Sequence, residues 1–102
     1  MERRKFVRYE VLCKVKYWKP GNAFRKYSTQ SFNISLGGIG IKLNNLFVGA
    51  KELDLLIYAP FQRLPIRAKG RLVWHDESNE RAGIQFTNIP WTSLKTLIRQ
   101  SA

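Results

Sequence analysis

Acidic side chains are scarce in this chain: seven Asp and Glu stand against eighteen Lys and Arg in 102 residues, leaving a formal net charge of +11 at pH 7. A polypeptide this short and this basic suits an anionic partner, whether a nucleic acid, a nucleotide or an acidic membrane surface. Cysteine occurs once, as Cys13, so neither an internal disulfide nor a cysteine-rich zinc site is available. It falls in phase with apolar neighbours, the pattern of a buried free thiol in a reducing compartment. Histidine also occurs once. His75 stands beside Asp76 in a polar stretch and is expected to be solvated, with no catalytic or metal role. Asp76, Glu77 and Glu80 gather carboxylates, but no partner cluster supplies metal-ligand spacing. Cys13 has no evident histidine partner for nucleophilic work. The phosphate-cradling patterns G-x-x-x-x-G-K-[ST] and G-x-G-x-x-G are missing. No apolar run approaches the roughly 18 residues of a membrane-spanning helix, and the charged opening "MERRKFVRYE" does not read as a signal peptide. The expectation is a cytoplasmic binding protein, not an enzyme, with no metal or cofactor.

Hydrophobic residues make up 44% of the chain, enough for one modest core and too many for disorder. Val7, Tyr9, Val11, Cys13, Val15 and Tyr17 alternate with Arg8, Glu10, Lys14 and Lys16, which predicts a first strand with one buried face. "KPGN" at 19–22 reads as a turn. A second strand is predicted over Tyr27 to Ile34, and a third carries Ile39, Ile41 and Leu43. Asn44, Asn45 and Gly49 break the chain before a fourth strand marked by Leu53, Leu55 and Ile57. In the fifth, Ile66, Ala68, Gly70, Leu72 and Trp74 share a face, with Arg67, Lys69 and Arg71 outward. "HDESNE" (75–80) reads as a hairpin loop and "AGIQF" (82–86) as the returning strand. Trp91, Leu94, Leu97 and Ile98 then fall at helical spacing, predicting a C-terminal helix over 89–100. Six short strands at this spacing predict an all-β fold, a small six-stranded antiparallel barrel whose end or edge the helix covers. One domain spans 1–102, with residues 1–8 as a flexible basic arm.

Two stretches carry more than fold. "RRKFVR" packs Arg3, Arg4, Lys5 and Arg8 against the first strand. Arginine's planar fork pairs with phosphate and with O6 and N7 of guanine, so the arm could wrap a guanine nucleotide or could simply be a solvated leader. "SFNISLGGIG" (31–40) alternates polar Ser31, Asn33 and Ser35 with apolar Phe32 and Ile34, then places three glycines in four positions. The backbone there must turn or approach something closely. R-x-x-x-R at Arg4 to Arg8 followed by N-x-S-x-x-G at Asn33, Ser35 and Gly38 resembles the PilZ domain, a bacterial receptor for cyclic di-GMP. The resemblance covers almost the whole chain. "GRLVWHDESNERAGIQF" is similar to the family's late hairpin, and the family's barrel-plus-helix fold agrees with the alternation. R-x-x-x-R alone is unspecific, recurring at Arg63 to Arg67 and Arg67 to Arg71; its place upstream of the single N-x-S-x-x-G gives it meaning.

The resemblance implies a mode of binding. In it, Arg4 and Arg8 would grip phosphate and the Hoogsteen edge of guanine, and Asn33 and Ser35 would bond other polar edges of a base. Many relatives carry Asp at the Asn33 position, which accepts from both guanine N1–H and N2–H; Asn must also present an NH₂, so its contacts would differ and weaken. Gly38 would let ligand or neighbouring backbone come close, and Trp74 would border the nucleotide. On the same resemblance, Arg3 directly before R-x-x-x-R favours two intercalated ligands per domain. Binding is expected to order residues 1–8 and to act through a partner protein in flagellar, pilus, exopolysaccharide or regulatory machinery.

Each reading has a bland counterpart. Asn33 and Ser35 could cap the turn locally, Gly37 and Gly40 could be turn and packing glycines, and Trp74 could be core. A general single-strand nucleic-acid binder, with Trp18 and Phe24 as exposed stacking candidates, is the first rival. A PilZ-like interaction module without nucleotide binding is the second.

Overall fold

The computed structural model describes residues 7–47, 49–60 and 62–101. Six strands, β1 (Lys14–Trp18), β2 (Tyr27–Ile34), β3 (Gly38–Lys42), β4 (Glu52–Tyr58), β5 (Ile66–Asp76) and β6 (Arg81–Asn88), are followed by one helix, α1 (Trp91–Ser101). A single 3₁₀ turn, Asn45–Phe47, lies between β3 and β4. The strands close into a barrel in the order β1-β2-β3-β6-β5-β4, each neighbour antiparallel to the next. Period-two alternation explains this directly. Val15 and Tyr17, Ile39 and Ile41, Leu53, Leu55 and Ile57, and Ile66 and Ala68 all turn inward, and each is at most 3% exposed. Leu94 and Leu97 of α1 join the same core. Closure leaves no free sheet edge to be managed.

The helix begins at Trp91, two residues later than the pattern predicts. Pro90 supplies the carbonyl for the first helical bond, from Leu94 N–H at 3.2 Å, and so stands as the cap. Ile89 is buried ahead of it, whereas Trp91, expected on the apolar stripe, is 51% exposed.

Of three further departures from the predicted pattern, two come from slips in register. Regular β1 begins at Lys14; upstream, only Tyr9 forms a bridge, exchanging two backbone bonds with Ile34 at 2.8 and 2.9 Å. Between these points the partner of Cys13 N–H is not backbone but the Ser31 hydroxyl, at 2.9 Å, and the same hydroxyl donates to Val11 O at 2.6 Å. Val11 and Cys13 still point inward, but Val7 is 70% exposed instead of sharing their face. A bulge between Ser31 and Asn33 accommodates this clamp, so Ser31 and Ile34 are both interior while Phe32 and Asn33 are half-buried neighbours. The expected face of Ser31, Asn33 and Ser35 is therefore split. A second bulge, between Leu72 and Trp74, rotates Trp74 out of the core phase and leaves it 39% exposed. Finally, β5 runs through His75 and Asp76, shortening the predicted loop to the tip beyond them.

Trp18, a candidate for exposure, is 5% exposed with the Lys26 ammonium 4.8 Å from its ring, while Phe24 is as open as expected.

Candidate functional site

On the barrel wall, β3 and β6 face each other through Gly40 and Gly83, paired directly across the ladder. Two facing positions without side chains leave a strip of bare backbone. Rings from the flanking strands lie over it. A Cβ on Gly40 would come 2.6 Å from Cζ of Phe32 and 2.7 Å from Oδ1 of Asn33; one on Gly83 would come 2.1 Å from Nε1 of Trp74. The Phe32 and Trp74 rings stand 6.4 Å apart, tilted by 50°, and the Arg81 guanidinium sits 4.9 Å from Phe32.

Beside this strip runs a groove of about 340 Å³. It is walled by Asn33 from β2, the turn through Ser35 and Gly37, Gly38 of β3, Trp74 and Val73 of β5, Gln85 of β6, and Arg8 from the segment ahead of β1. Among the described residues the lining holds one cation and no carboxylate. Five of the seven residues singled out in the sequence, Arg8, Asn33, Ser35, Gly38 and Trp74, thus meet at one place. The other two, Arg3 and Arg4, lie outside the described residues, as does most of the basic arm.

Their local roles differ. Ser35 caps its own turn: its Oγ accepts from Gly37 N–H at 3.1 Å and Gly38 N–H at 3.2 Å. Phe86 N–H fixes the same turn to β6 by donating to Gly37 O at 2.9 Å. Gly38 serves neighbouring backbone, since a Cβ there would lie 2.3 Å from the Ile84 carbonyl oxygen. Asn33 and Arg8 are different. Among the described residues neither side chain has a hydrogen-bond or ion-pair partner, which leaves the amide and the guanidinium available to a ligand.

Residues 2–102 match the family described as the PilZ domain. The chain belongs to the PilZ family. Solved structures of like architecture include the Bacillus subtilis inhibitor of motility MotI/DgrA, with a TM-score of 0.68 and 23% identity over 98% of this chain and 52% of that one. The PilZ domain of CeSA from a cellulose-synthesizing bacterium gives 0.67 and 14%, covering 93% of this chain and 94% of that domain. The PilZ domain of Escherichia coli YcgR, solved with c-di-GMP, gives 0.67 and 16%, covering 98% and 89%. The chain spans about half the length of the motility inhibitor. At these identities the likeness establishes the fold. A search of curated proteins gives no match.

In this PilZ barrel the motif residues were visible in the sequence, and the surface they stand on was not. Gly40 reads from the sequence as a turn or packing glycine, and nothing there assigns Val73, Gly83 or Gln85 to the groove they line. A lone glycine inside a strand pattern, as in "AGIQF", is the signal that could have found Gly83, because it marks close approach of another group. His75 is also corrected: it lies on β5, with its Nε2 shielded from solvent and without a partner among the described residues, not free in a loop. No three His, Cys, Asp or Glu side chains gather to hold a metal among the described residues, and no helix there is long and apolar enough to cross a membrane.

Proposed function

We propose that this PilZ protein is a cytoplasmic receptor for cyclic di-GMP that relays occupancy to a partner protein. The observation that carries the reading is the groove, where a guanidinium and an amide without partners among the described residues converge with an indole, and no described carboxylate lines it. Its volume of about 340 Å³ lies at the small end of the roughly 300–1,000 Å³ range of ligand sites, and Arg8 is part of its lining. Family membership and the presence of c-di-GMP in the YcgR PilZ domain support the same ligand class.

In this reading Arg8, with Arg4 from the arm, takes phosphate and the O6 and N7 edge of a guanine. Asn33 presents its carbonyl oxygen to guanine N–H donors, while its NH₂ group can meet an acceptor that an aspartate would repel. Trp74, held flat over Gly83, offers a ring face to the base. Ser35 and Gly38 shape the wall: the serine by bracing the turn, the glycine by letting β3 and β6 close. Arg3 supplies the extra guanidinium for a second, intercalated molecule.

Calorimetric titration with cyclic di-GMP, with GTP and oligo-dT as controls, tests the proposal. Saturable binding of cyclic di-GMP alone is expected, at a ratio near two if Arg3 has the assigned role. Arg8→Ala should cost about 1–3 kcal/mol, roughly 5- to 150-fold in affinity. No heat with the dinucleotide, or wild-type affinity in both Arg4→Ala and Arg8→Ala, overturns the reading; binding of oligo-dT alone replaces it with the nucleic-acid rival.

A further inference from the structure

The groove centres on β3 and β6, and in the closed order the strands diametrically opposite are β4 and β1. Their outer face, with the first half of β5, has its own chemistry. Across β1 and β4, Lys14 stands opposite Tyr58 and Lys16 opposite Leu56; across β4 and β5, Leu56 faces Arg67, Asp54 faces Lys69 and Glu52 faces Arg71. The ammonium groups of Lys14 and Lys16 sit 5.8 and 5.7 Å from the Tyr58 ring centroid. Leu56 and Tyr58 are only half-buried. An apolar centre therefore lies exposed between five cations, with two carboxylates toward one end.

We infer that this face docks an acidic segment of a partner protein that carries an apolar side chain for the Leu56–Tyr58 centre. The layout decides for protein over a polyanion. A desolvated apolar and aromatic centre inside a charged rim is the anatomy of a protein interface, and tyrosine is favoured at its energetic centre. A phosphate backbone or an anionic lipid surface would meet the fixed charges of Asp54 and Glu52. Asp54 lies in this face beside Lys69, 3.9 Å away, with its side chain 18% exposed. A protein partner answers this mixed pattern in register, with acids against Lys14, Lys16 and Arg67 and a neutral or basic group against the two carboxylates. Because the face lies across the barrel from the groove, both can be filled at once, and the inference stands whether or not the groove binds cyclic di-GMP.

The test uses the full chain and a short amphipathic peptide with leucines on one face and glutamates on the other, mapped by amide NMR shifts. Shifts are expected on β1, β4 and the first half of β5, and Lys16→Glu with Arg67→Glu should weaken binding about tenfold or more. Lys95→Glu with Arg99→Glu on α1 changes net charge equally and should leave affinity within about twofold. A scrambled peptide of the same composition should bind more weakly. Equal losses in the two double variants, shifts spread over other faces, or equal binding of the scrambled peptide would each overturn the inference. So would oligo-dT or phosphatidylglycerol vesicles engaging the same amides more tightly than the peptide. Mapping on the unaltered protein keeps the question open to decision if a double variant fails to fold.

Discussion

The hydroxyl of Ser31 satisfies two buried backbone groups that no strand partner reaches, Val11 O and Cys13 N–H. Ser31→Ala orphans both, and a loss of about 1–3 kcal/mol is expected in denaturant unfolding. Nothing in the sequence marks Ser31 as interior, because alternation assigns it to the polar face with Asn33; only the bulge makes it a core residue. The glycines divide similarly. Gly38→Ala would drive a Cβ against the Ile84 carbonyl, which cannot step aside, and should destabilise by about 1–3 kcal/mol. Gly83→Ala meets the indole of a partly exposed side chain, which can move. That variant should keep its thermal midpoint, change its tryptophan fluorescence and lose affinity for cyclic di-GMP. Equal midpoint losses for the two variants would contradict this division. Cys13 and Tyr17 are titrating groups held neutral by burial, which pushes both above their ordinary values. The unfolded chain therefore gives up these protons first, and stability should fall as pH rises beyond about 9. A flat thermal midpoint between pH 8 and pH 10 would contradict that sign.

Among the elements, the β5–β6 hairpin has the most instructive tip. Asp76 gathers its own turn: Oδ2 accepts from the Asn79 amide at 2.8 Å, and Oδ1 from Ser78 N–H at 3.1 Å. The Asn79 side chain is the main reason its carboxyl is held below the ordinary value, aided by backbone N–H groups and Arg81. A lowered carboxyl contributes stability above its unfolded value, and that contribution is lost as pH falls through the folded one. The protection of the Ser78 and Asn79 amides, taken relative to their intrinsic exchange rates, should fall below pH about 4, and Asp76→Ala should remove the dependence. Six strands and a helix were legible because period two and period 3.6 are properties of single segments. The hairpin tip, the split first strand and the exposure of Trp74 were not, since bulges are set by what lies across the ladder. For the groove, the linear motifs pointed to Arg8, Asn33, Ser35 and Gly38, whereas the Gly40–Gly83 strip exists only through cross-strand register.

For the molecule as a whole, among the described residues, the groove lining contributes one cation, Arg8, while Lys14, Lys16, Arg67, Lys69 and Arg71 stand on the face opposite. Cyclic di-GMP carries only two phosphodiester charges, so its affinity should decline mildly with salt, by less than about tenfold between low and physiological ionic strength, whereas any binding of the longer polyanion oligo-dT should fall steeply. Parallel salt slopes for the two ligands would mean that diffuse charge, not the groove, governs the dinucleotide.

The facing pair of Gly40 and Gly83 also bears on how this surface can change over generations. Every single-base change that replaces a glycine codon's residue installs a Cβ, so there is no intermediate substitution by which either position could drift. At Gly83 the newcomer lands against Trp74 and at Gly40 against Asn33 and Phe32, so either one presses on a side chain that borders the groove. Lineages that dispense with the groove can fill the strip in one step. A lineage that uses it is expected to hold both codons fixed.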